Sequence, residues 1–209
     1  MKIFDHLNHP DIPAHIFMGI SRLNDDLSIH TEYLDNREIK QFQSIQHPRR
    51  RKEFVEARNL LKQMAKKRGI NKLSIHKDES TGAPYGIANN KIIPLSITHT
   101  KQTVGGAISM ADKAIGIDLE WRKRKVHPGL RARITAPAER QALKKIDTLQ
   151  IWTIKEAVSK LVQTGLTKNF NKICIQQKKN HTFSVLLPSN KTAHIVVIKT
   201  DYFYLTLAY

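Results

Sequence analysis

Apolar residues along the chain recur at two spacings, every three or four residues in some segments and every second residue in others. The first spacing is that of a helix with one buried face. Pro48 is suited to a helix start and Gly69 to a helix end. The pattern therefore predicts helices over 37–45, 49–68 and 152–160, and a helical stretch through 137–140.

Alternating or continuous apolar runs predict strands, and turn-forming residues separate them. The last four strands suggest a closing antiparallel sheet, and residues 111–113 are expected to form a hairpin. Both halves contain helices and strands, so the class is α+β, with an expected division into 1–110 and 111–209. The predicted strands are 15–20, 73–76, 95–98, 103–110, 114–121, 173–175, 183–187, 194–198 and 202–208, with a turn at 81–84.

Charge narrows the choice of partners. Lys and Arg outnumber Asp and Glu by 35 to 18, a formal net charge of +17 over 209 residues. The partner should therefore be anionic: nucleic acid, an acidic protein, a polyphosphate ligand or a membrane surface.

The single Cys174 excludes an internal disulfide and a cysteine-based zinc site. No apolar run is long enough for a membrane span and the start has no secretory pattern, so we expect a cytoplasmic protein.

The helix over 152–160 has two different faces. One carries an apolar stripe, and Trp152, Glu156 and Lys160 recur every four residues on roughly the opposite side. The ordinary interpretation is a solvated face with a Glu–Lys pair. Trp152 argues that this face is also covered, at a cleft or against a second lobe, which makes Glu156 and Lys160 candidates for a site.

Two carboxylates face the same way on the predicted strand over 114–121, because Asp118 and Glu120 are two residues apart. With Glu156 they would offer three hard oxygen ligands, which suit Mg²⁺ better than zinc. Asp-x-Glu alone is a weak pattern. The mostly apolar residues 114–117, which precede Asp118, strengthen the prediction of a metal site, since they indicate a buried strand on which unpaired charge is costly.

Two arginines and a histidine are candidates for anion binding. Arg51 and Arg58 flank Phe54 by three and four residues, either as arginines whose stems pack at the margin of the core or as a phosphate clamp. His99 ends a predicted strand among hydroxyl side chains. Such a histidine is more often structural, although its setting also suits phosphate.

Three stretches, in this order, resemble the 4′-phosphopantetheinyl transferases of the monomeric, surfactin-synthetase-activating type. They are 96–100 (Ser-Ile-Thr-His-Thr), 115–120 (Ile-Gly-Ile-Asp-Leu-Glu) and 152–160 (Trp-Thr-Ile-Lys-Glu-Ala-Val-Ser-Lys). Weaker matches at 54–61, 81–84 and 137–139 extend the resemblance over about 49–166. It implies two pseudo-symmetric α+β lobes, each a small antiparallel sheet packed with helices, with coenzyme A and Mg²⁺ in the cleft between them.

The implied reaction moves the phosphopantetheine arm of coenzyme A to a serine of a carrier protein and releases 3′,5′-ADP. Carrier proteins are acidic, so the positive charge would speed docking to a monomeric enzyme. The resemblance assigns Mg²⁺ to Asp118, Glu120 and Glu156, the serine proton to Glu156, the diphosphate to Lys160 with help from Lys155, and the 3′-phosphate to Arg51, Arg58 and His99.

The chain departs from the family pattern in two places. Gln163-Thr-Gly-Leu166 stands where Gly-x-Gly-Leu is usual, and Gly82-Ala83-Pro84 where many members have Gly-Lys-Pro, so Lys77 or Lys91 would have to supply that cation. The sequence does not distinguish between carrier proteins of fatty-acid, polyketide and peptide synthesis as the substrate.

Two other classes are compatible with the composition. A metal-dependent nuclease also uses clustered carboxylates and a lysine, and a nucleic-acid-binding protein needs only the charge. Neither explains the aromatic, carboxylate and lysine on one helix face, and the sequence has no recognisable nucleic-acid-binding signature.

Overall fold

The computed structural model describes residues 9–23, 29–163, 170–187 and 190–209. The chain divides into two compact units, Met1–Lys113 and Ala114–Tyr209. Each unit has a five-stranded antiparallel sheet with helices packed against it, which confirms the α+β class. Among the helices in the described ranges, none is long and apolar enough to cross a membrane.

The N-terminal unit is built on a sheet with strand order β1-β5-β4-β3-β2. Helix α2 packs on β5 and β1 and carries most of the helical contribution to the core. In chain order the elements are β1 (Ile16–Arg22), α1 (Asn36–Ser44), α2 (Pro48–Lys66), β2 (Ser74–Lys77), β3 (Pro84–Ala88), β4 (Lys91–Thr100) and β5 (Thr103–Ser109).

Local chemistry explains where these helices begin and end. Asp35 and Glu38 form a capping box that satisfies the first backbone donors of α1. Pro48 occupies the first turn of α2, where its missing N–H costs nothing. Gly69 follows α2 at a φ of +80°, a conformation that glycine adopts without strain. The predicted start and stop of α2 are therefore confirmed to within two residues.

The C-terminal unit has the strand order β6-β10-β9-β8-β7. Helix α4, capped by Asp147, packs on β6 and β10. The elements are β6 (Gly116–Trp121), α3 (Leu130–Ile134), a 3₁₀ turn (Pro137–Glu139), α4 (Thr148–Leu161), a second 3₁₀ turn (Phe170–Lys172), β7 (Ile175–Lys179), β8 (Thr182–Leu186), β9 (Thr192–Lys199) and β10 (Phe203–Ala208). The predicted closing sheet is confirmed.

The two units repeat one topology: a first strand, helices, and a four-stranded meander whose last strand pairs with the first. A buried glutamate recurs at the third residue of a helical turn, Glu38 in one unit and Glu139 in the other. Each accepts a backbone N–H from the first strand of its meander, Ile75 and Ile175 respectively. The repeat is thus preserved in three dimensions although no sequence repeat is evident.

The predicted hairpin at 111–113 is wrong. Strand β5 pairs with β1 and β4, whereas β6 pairs with β10 in the other sheet. Short spacing favours a hairpin, but the segment here connects two sheets. Strand β3 was not predicted because Pro84 and Gly86 both weaken a strand pattern. Of the altered stretch at 163–166, residues 164–166 lie outside the described residues.

Strand β6 approaches helix α4 unusually closely at Gly116. A Cβ built on Gly116 would lie 1.9 Å from the carbonyl oxygen of Ala157 and 2.6 Å from the backbone nitrogen of Leu161. Because side chains alternate along a strand, Asp118 and Glu120 project to the same side as Gly116, toward α4.

We expect Gly116→Ala to be strongly destabilising, since the new methyl group meets helix backbone that can give way only if α4 moves. Overpacking costs about 1–3 kcal/mol and more when backbone must shift. Gly19→Ala in β1 is the matched control, because its methyl group meets the Met64 sulfur at 2.8 Å, a flexible side chain. Urea unfolding of both variants measures the difference. Equal losses would contradict the close approach.

Candidate active site

A lysine of α4 joins a carboxylate of β6. Lys160 Nζ donates to Asp118 Oδ1 at 2.8 Å and to the carbonyl oxygen of Ile117 at 2.9 Å. Asp118 is buried, whereas 30% of the Lys160 side chain remains exposed. The ammonium group is therefore fixed at a surface where it can meet an anion.

The second carboxylate of β6 has a different cationic neighbour. Glu120 is buried and forms an ion pair with Arg124, which lies in the turn after the strand. Arg124 was not among the residues selected from the sequence. Its four-residue separation from Glu120 is not helical, so only the basic character of 122–127 could have indicated it.

Glu156 completes this group of acidic residues. Burial, and then the negative charge of Asp118, raise the pKa of Glu156 to about 7, while Lys160 and Arg124 act in the opposite direction. A carboxyl group with a pKa near neutrality can take up and release a proton under physiological conditions. The structure thus brings Asp118, Glu156 and Lys160 into electrostatic contact.

Their donor chemistry fits a hard divalent cation such as Mg²⁺, which binds carboxylate oxygens. Within the described ranges, however, no three His, Cys, Asp or Glu side chains form a group that could hold a metal ion. Lys160 and Arg124 supply the positive charge at Asp118 and Glu120. A metal would therefore have to displace these cations before binding all three carboxylates.

Lys155 faces the interior of the unit. Its side chain is fully buried, forms an ion pair with Glu139, and donates to the carbonyl oxygen of Phe170 at 3.0 Å. Burial lowers the pKa of the Lys155 ammonium, and Glu139 counteracts that shift. An ammonium group in this position would have to leave its partners before reaching the diphosphate, so the structure does not support the contact implied for it.

Trp152 is covered by its own unit. Its ring packs edge-on against Phe170 with the ring centroids 5.4 Å apart, at the margin of the C-terminal core. The inference that this helix face is not simply solvated is confirmed for Trp152. Within the C-terminal unit, Phe170 is the aromatic residue that packs against it.

A pocket of about 400 Å³ in the N-terminal unit contains two of the predicted anion-binding residues, Arg58 and His99. The guanidinium carbon of Arg58 lies 3.3 Å from the centroid of the Phe54 ring. Burial lowers the pKa of Arg58 to about 10, against the opposing effect of Glu38 and Asp35, so it stays charged at neutral pH. The lining also includes Ile45, Arg50, Glu53, Ala57, Ile97 and Val104.

Arg51 is not part of this lining. Its guanidinium carbon lies 4.3 Å from the centroid of the Phe42 ring. Arg50, the preceding residue, instead contacts His99, with 2.5 Å between Nη1 and Nε2. A signal for Arg50 was available, since residues 50, 54 and 58 recur every four positions and share one helix face.

Residues 114–205 match the model of the 4′-phosphopantetheinyl transferase superfamily. The match includes β6 and α4, and with them Asp118, Glu120, Glu156 and Lys160. The C-terminal unit is therefore similar to that superfamily, whose members are transferases that use coenzyme A. No curated protein matches the chain.

The raised pKa of Glu156 predicts a pH-dependent stability. Its folded pKa of about 7 exceeds the ordinary value of 4.5, so the folded state binds this proton more tightly than the unfolded state. The resulting stabilisation is complete below pH 4.5 and is lost as the pH rises through 7. With a chelator present, raising the pH from 4.5 through 7 should therefore lower the free energy of unfolding of the wild type relative to that of Glu156→Gln.

Urea unfolding at a series of pH values measures this difference. Histidines titrate in both proteins and cancel in the comparison. Glu32→Gln, at an exposed position, serves as a control that should follow the wild type. Parallel curves for the wild type and Glu156→Gln would contradict the raised pKa.

Proposed function

We propose that the protein transfers the 4′-phosphopantetheine arm of coenzyme A to a serine hydroxyl of an acidic acyl or peptidyl carrier protein. The observation that carries this proposal is the contact of Asp118, Glu156 and Lys160 across β6 and α4, inside the segment that matches the superfamily. The protein would act as a monomer in the cytoplasm, a reducing setting that suits its single free cysteine.

In this reaction the serine oxygen bonds to the β-phosphorus of coenzyme A, and the bond from that phosphorus to the bridging oxygen breaks. The leaving group is 3′,5′-ADP, and the serine proton goes to Glu156. In the metal-free protein its pKa of about 7 lets Glu156 take up a proton near neutral pH, which supports this role. Lys160, already fixed beside Asp118, would bind the diphosphate and offset the charge that develops on the leaving phosphate.

Asp118, Glu120 and Glu156 would hold Mg²⁺ during turnover. When bound, the metal would neutralise diphosphate oxygens. Carboxylate oxygens are its preferred protein ligands, which supports this assignment. Lys160 and Arg124, the present partners of Asp118 and Glu120, are the cations of this site that would contact phosphate oxygens.

The pocket in the N-terminal unit would hold the 3′-phosphate of coenzyme A. Arg58 is buried there with its charge retained, and His99 lies at the end of β4. Its apolar walls, which include Phe54 and Ile97, reduce solvent screening and strengthen binding of an anion. The net charge of +17 supports an acidic carrier as the second substrate.

The direct test incubates the protein with coenzyme A, Mg²⁺ and a purified apo carrier protein. Mass spectrometry should show a phosphopantetheine-sized gain on the carrier. Asp118→Asn and Glu156→Gln should each reduce the rate by roughly 100-fold or more, the scale seen when a group that stabilises the transition state is removed. Asp201→Asn, an exposed acidic position in the same unit, is the matched control.

Full turnover in excess chelator, or in Asp118→Asn, would contradict the metal assignment. Cleavage of duplex DNA in Mg²⁺, without any gain on the carrier, would instead support a metal-dependent nuclease.

The affinity of the protein for the carrier should fall with added salt more than its affinity for coenzyme A does, since docking of two proteins relies on long-range charge.

A further inference from the structure

A second cavity in the N-terminal unit takes no part in the proposed reaction. It has a volume of about 770 Å³, which is in the range of pockets that enclose a small organic ligand. Its walls come from residues 32–35, the last turns of α2, residues 71–74 and the β3–β4 turn, and it shares no lining residue with the pocket that contains Arg58 and His99. We propose that this cavity binds a nucleoside monophosphate.

Two lysines offer unpaired positive charge to the cavity. Lys66 lies one turn after Lys62 in α2, and Lys72 follows the helix. Both Lys66 and Lys72 are exposed, and among the described residues neither side chain forms a hydrogen bond or an ion pair. Lys62, in contrast, is held in the wall by the carbonyl oxygen of Tyr33 at 2.8 Å and by Glu38. Lys66 and Lys72 are therefore the groups that can bind the phosphate.

Three asparagines supply hydrogen-bond donors and acceptors to the cavity. Asn71 lies in the connection from α2 to β2, and Asn89 and Asn90 form the β3–β4 turn with φ of 49° and 58°. That backbone conformation is typical of asparagine in a hairpin turn. The turn leaves the amide groups exposed, and the three side chains make no hydrogen bond with other described residues. An amide can donate and accept at once, which is how asparagine recognises the edge of a nucleobase.

Apolar side chains complete the lining. Leu34, Leu73 and Ile87 line the cavity, and Leu73 also belongs to the core of the unit. Tyr33 is part of the same lining and is 47% exposed. A nucleobase is flat, so it can pack on aliphatic side chains and stack on a tyrosine ring. A free inorganic phosphate would leave these side chains without a contact.

Glu32 favours a nucleotide over an acidic peptide as the ligand. It lines the cavity with 58% of its side chain exposed, and its partner His30 lies 3.4 Å away. A carboxylate repels acidic side chains, whereas it accepts hydrogen bonds from ribose hydroxyls, as the acidic residue of dinucleotide-binding sites does. Asp35 also lines the cavity, but it already accepts from the backbone N–H of Glu38 and from the Ser74 hydroxyl. The cavity thus has lysines for a phosphate, amides for a base edge and a carboxylate for a ribose.

The test is a series of ¹⁵N NMR titrations with AMP, GMP, CMP and UMP. At least one nucleotide should bind with a Kd below about 1 mM and shift the side-chain amide signals of Asn71, Asn89 and Asn90. The matching nucleoside and inorganic phosphate should each bind at least about tenfold more weakly. Lys66→Ala and Lys72→Ala, both at exposed positions that do not affect folding, should each weaken nucleotide binding roughly tenfold, the scale of one charge-assisted hydrogen bond.

Two further variants are controls that should bind the nucleotide as the wild type does. Lys101→Ala removes an exposed lysine just beyond the other end of β4, and His99→Ala alters the other pocket. No binding of any of these nucleotides, or binding of inorganic phosphate as tight as that of the nucleotide, would overturn the proposal. Nucleotide binding that is lost in His99→Ala but kept in Lys66→Ala and Lys72→Ala would overturn it too, as would an acidic peptide that shifts the same amide signals when no nucleotide does. Because these titrations measure binding at a separate pocket, failure of the proposed transfer reaction would leave the proposal intact.

Discussion

The candidate chemistry depends on one close approach, that of β6 to α4 at Gly116. With no side chain at Gly116, the backbone of the strand reaches the helix backbone at Ala157. The same contact lets Asp118, two residues along the strand, reach Lys160 and come under the electrostatic influence of Glu156. A larger residue at 116 would push the strand away from the helix and separate Asp118 from Lys160 and Glu156.

Charge balance is the second constraint. A buried carboxylate is costly unless it has a cationic or hydrogen-bonding partner, and three such pairs recur among the described residues of the C-terminal unit: Asp118 with Lys160, Glu120 with Arg124, and Glu139 with Lys155. The Glu139–Lys155 pair is fully enclosed and ties the helix to β7 through Ile175. The other two pairs involve partly exposed cations, which an incoming anion can attract. Of the three, these two pairs are therefore the ones suited to exchange partners in the proposed reaction.

Much of this could be predicted from spacing, because spacing reports local geometry. The four-residue interval of Glu156 and Lys160 and the two-residue interval of Asp118 and Glu120 placed each pair on one face. Lys155 could also have been placed: it lies four residues after Ile151 and three before Val158, on the apolar stripe, where a lysine requires a buried acid. Pairing between strands that are distant in the sequence could not be predicted in this way. The separation of β5 and β6 into different sheets depends on the pairing of β6 with β10, nearly ninety residues away, and short-range patterns carry no information about it.

In the proposed site, the carboxylates of β6 and α4 bind a divalent metal ion together with the diphosphate of coenzyme A. Titration of Mn²⁺ followed by electron paramagnetic resonance, with and without coenzyme A, tests it most directly. Since Lys160 and Arg124 already neutralise Asp118 and Glu120, Mn²⁺ should bind weakly alone and at least about tenfold more tightly with coenzyme A, a coupling of about 1.4 kcal/mol. Asp118→Asn should abolish this coupling. Mn²⁺ binding that is unaffected by coenzyme A, or that is unchanged in Asp118→Asn, would contradict the account.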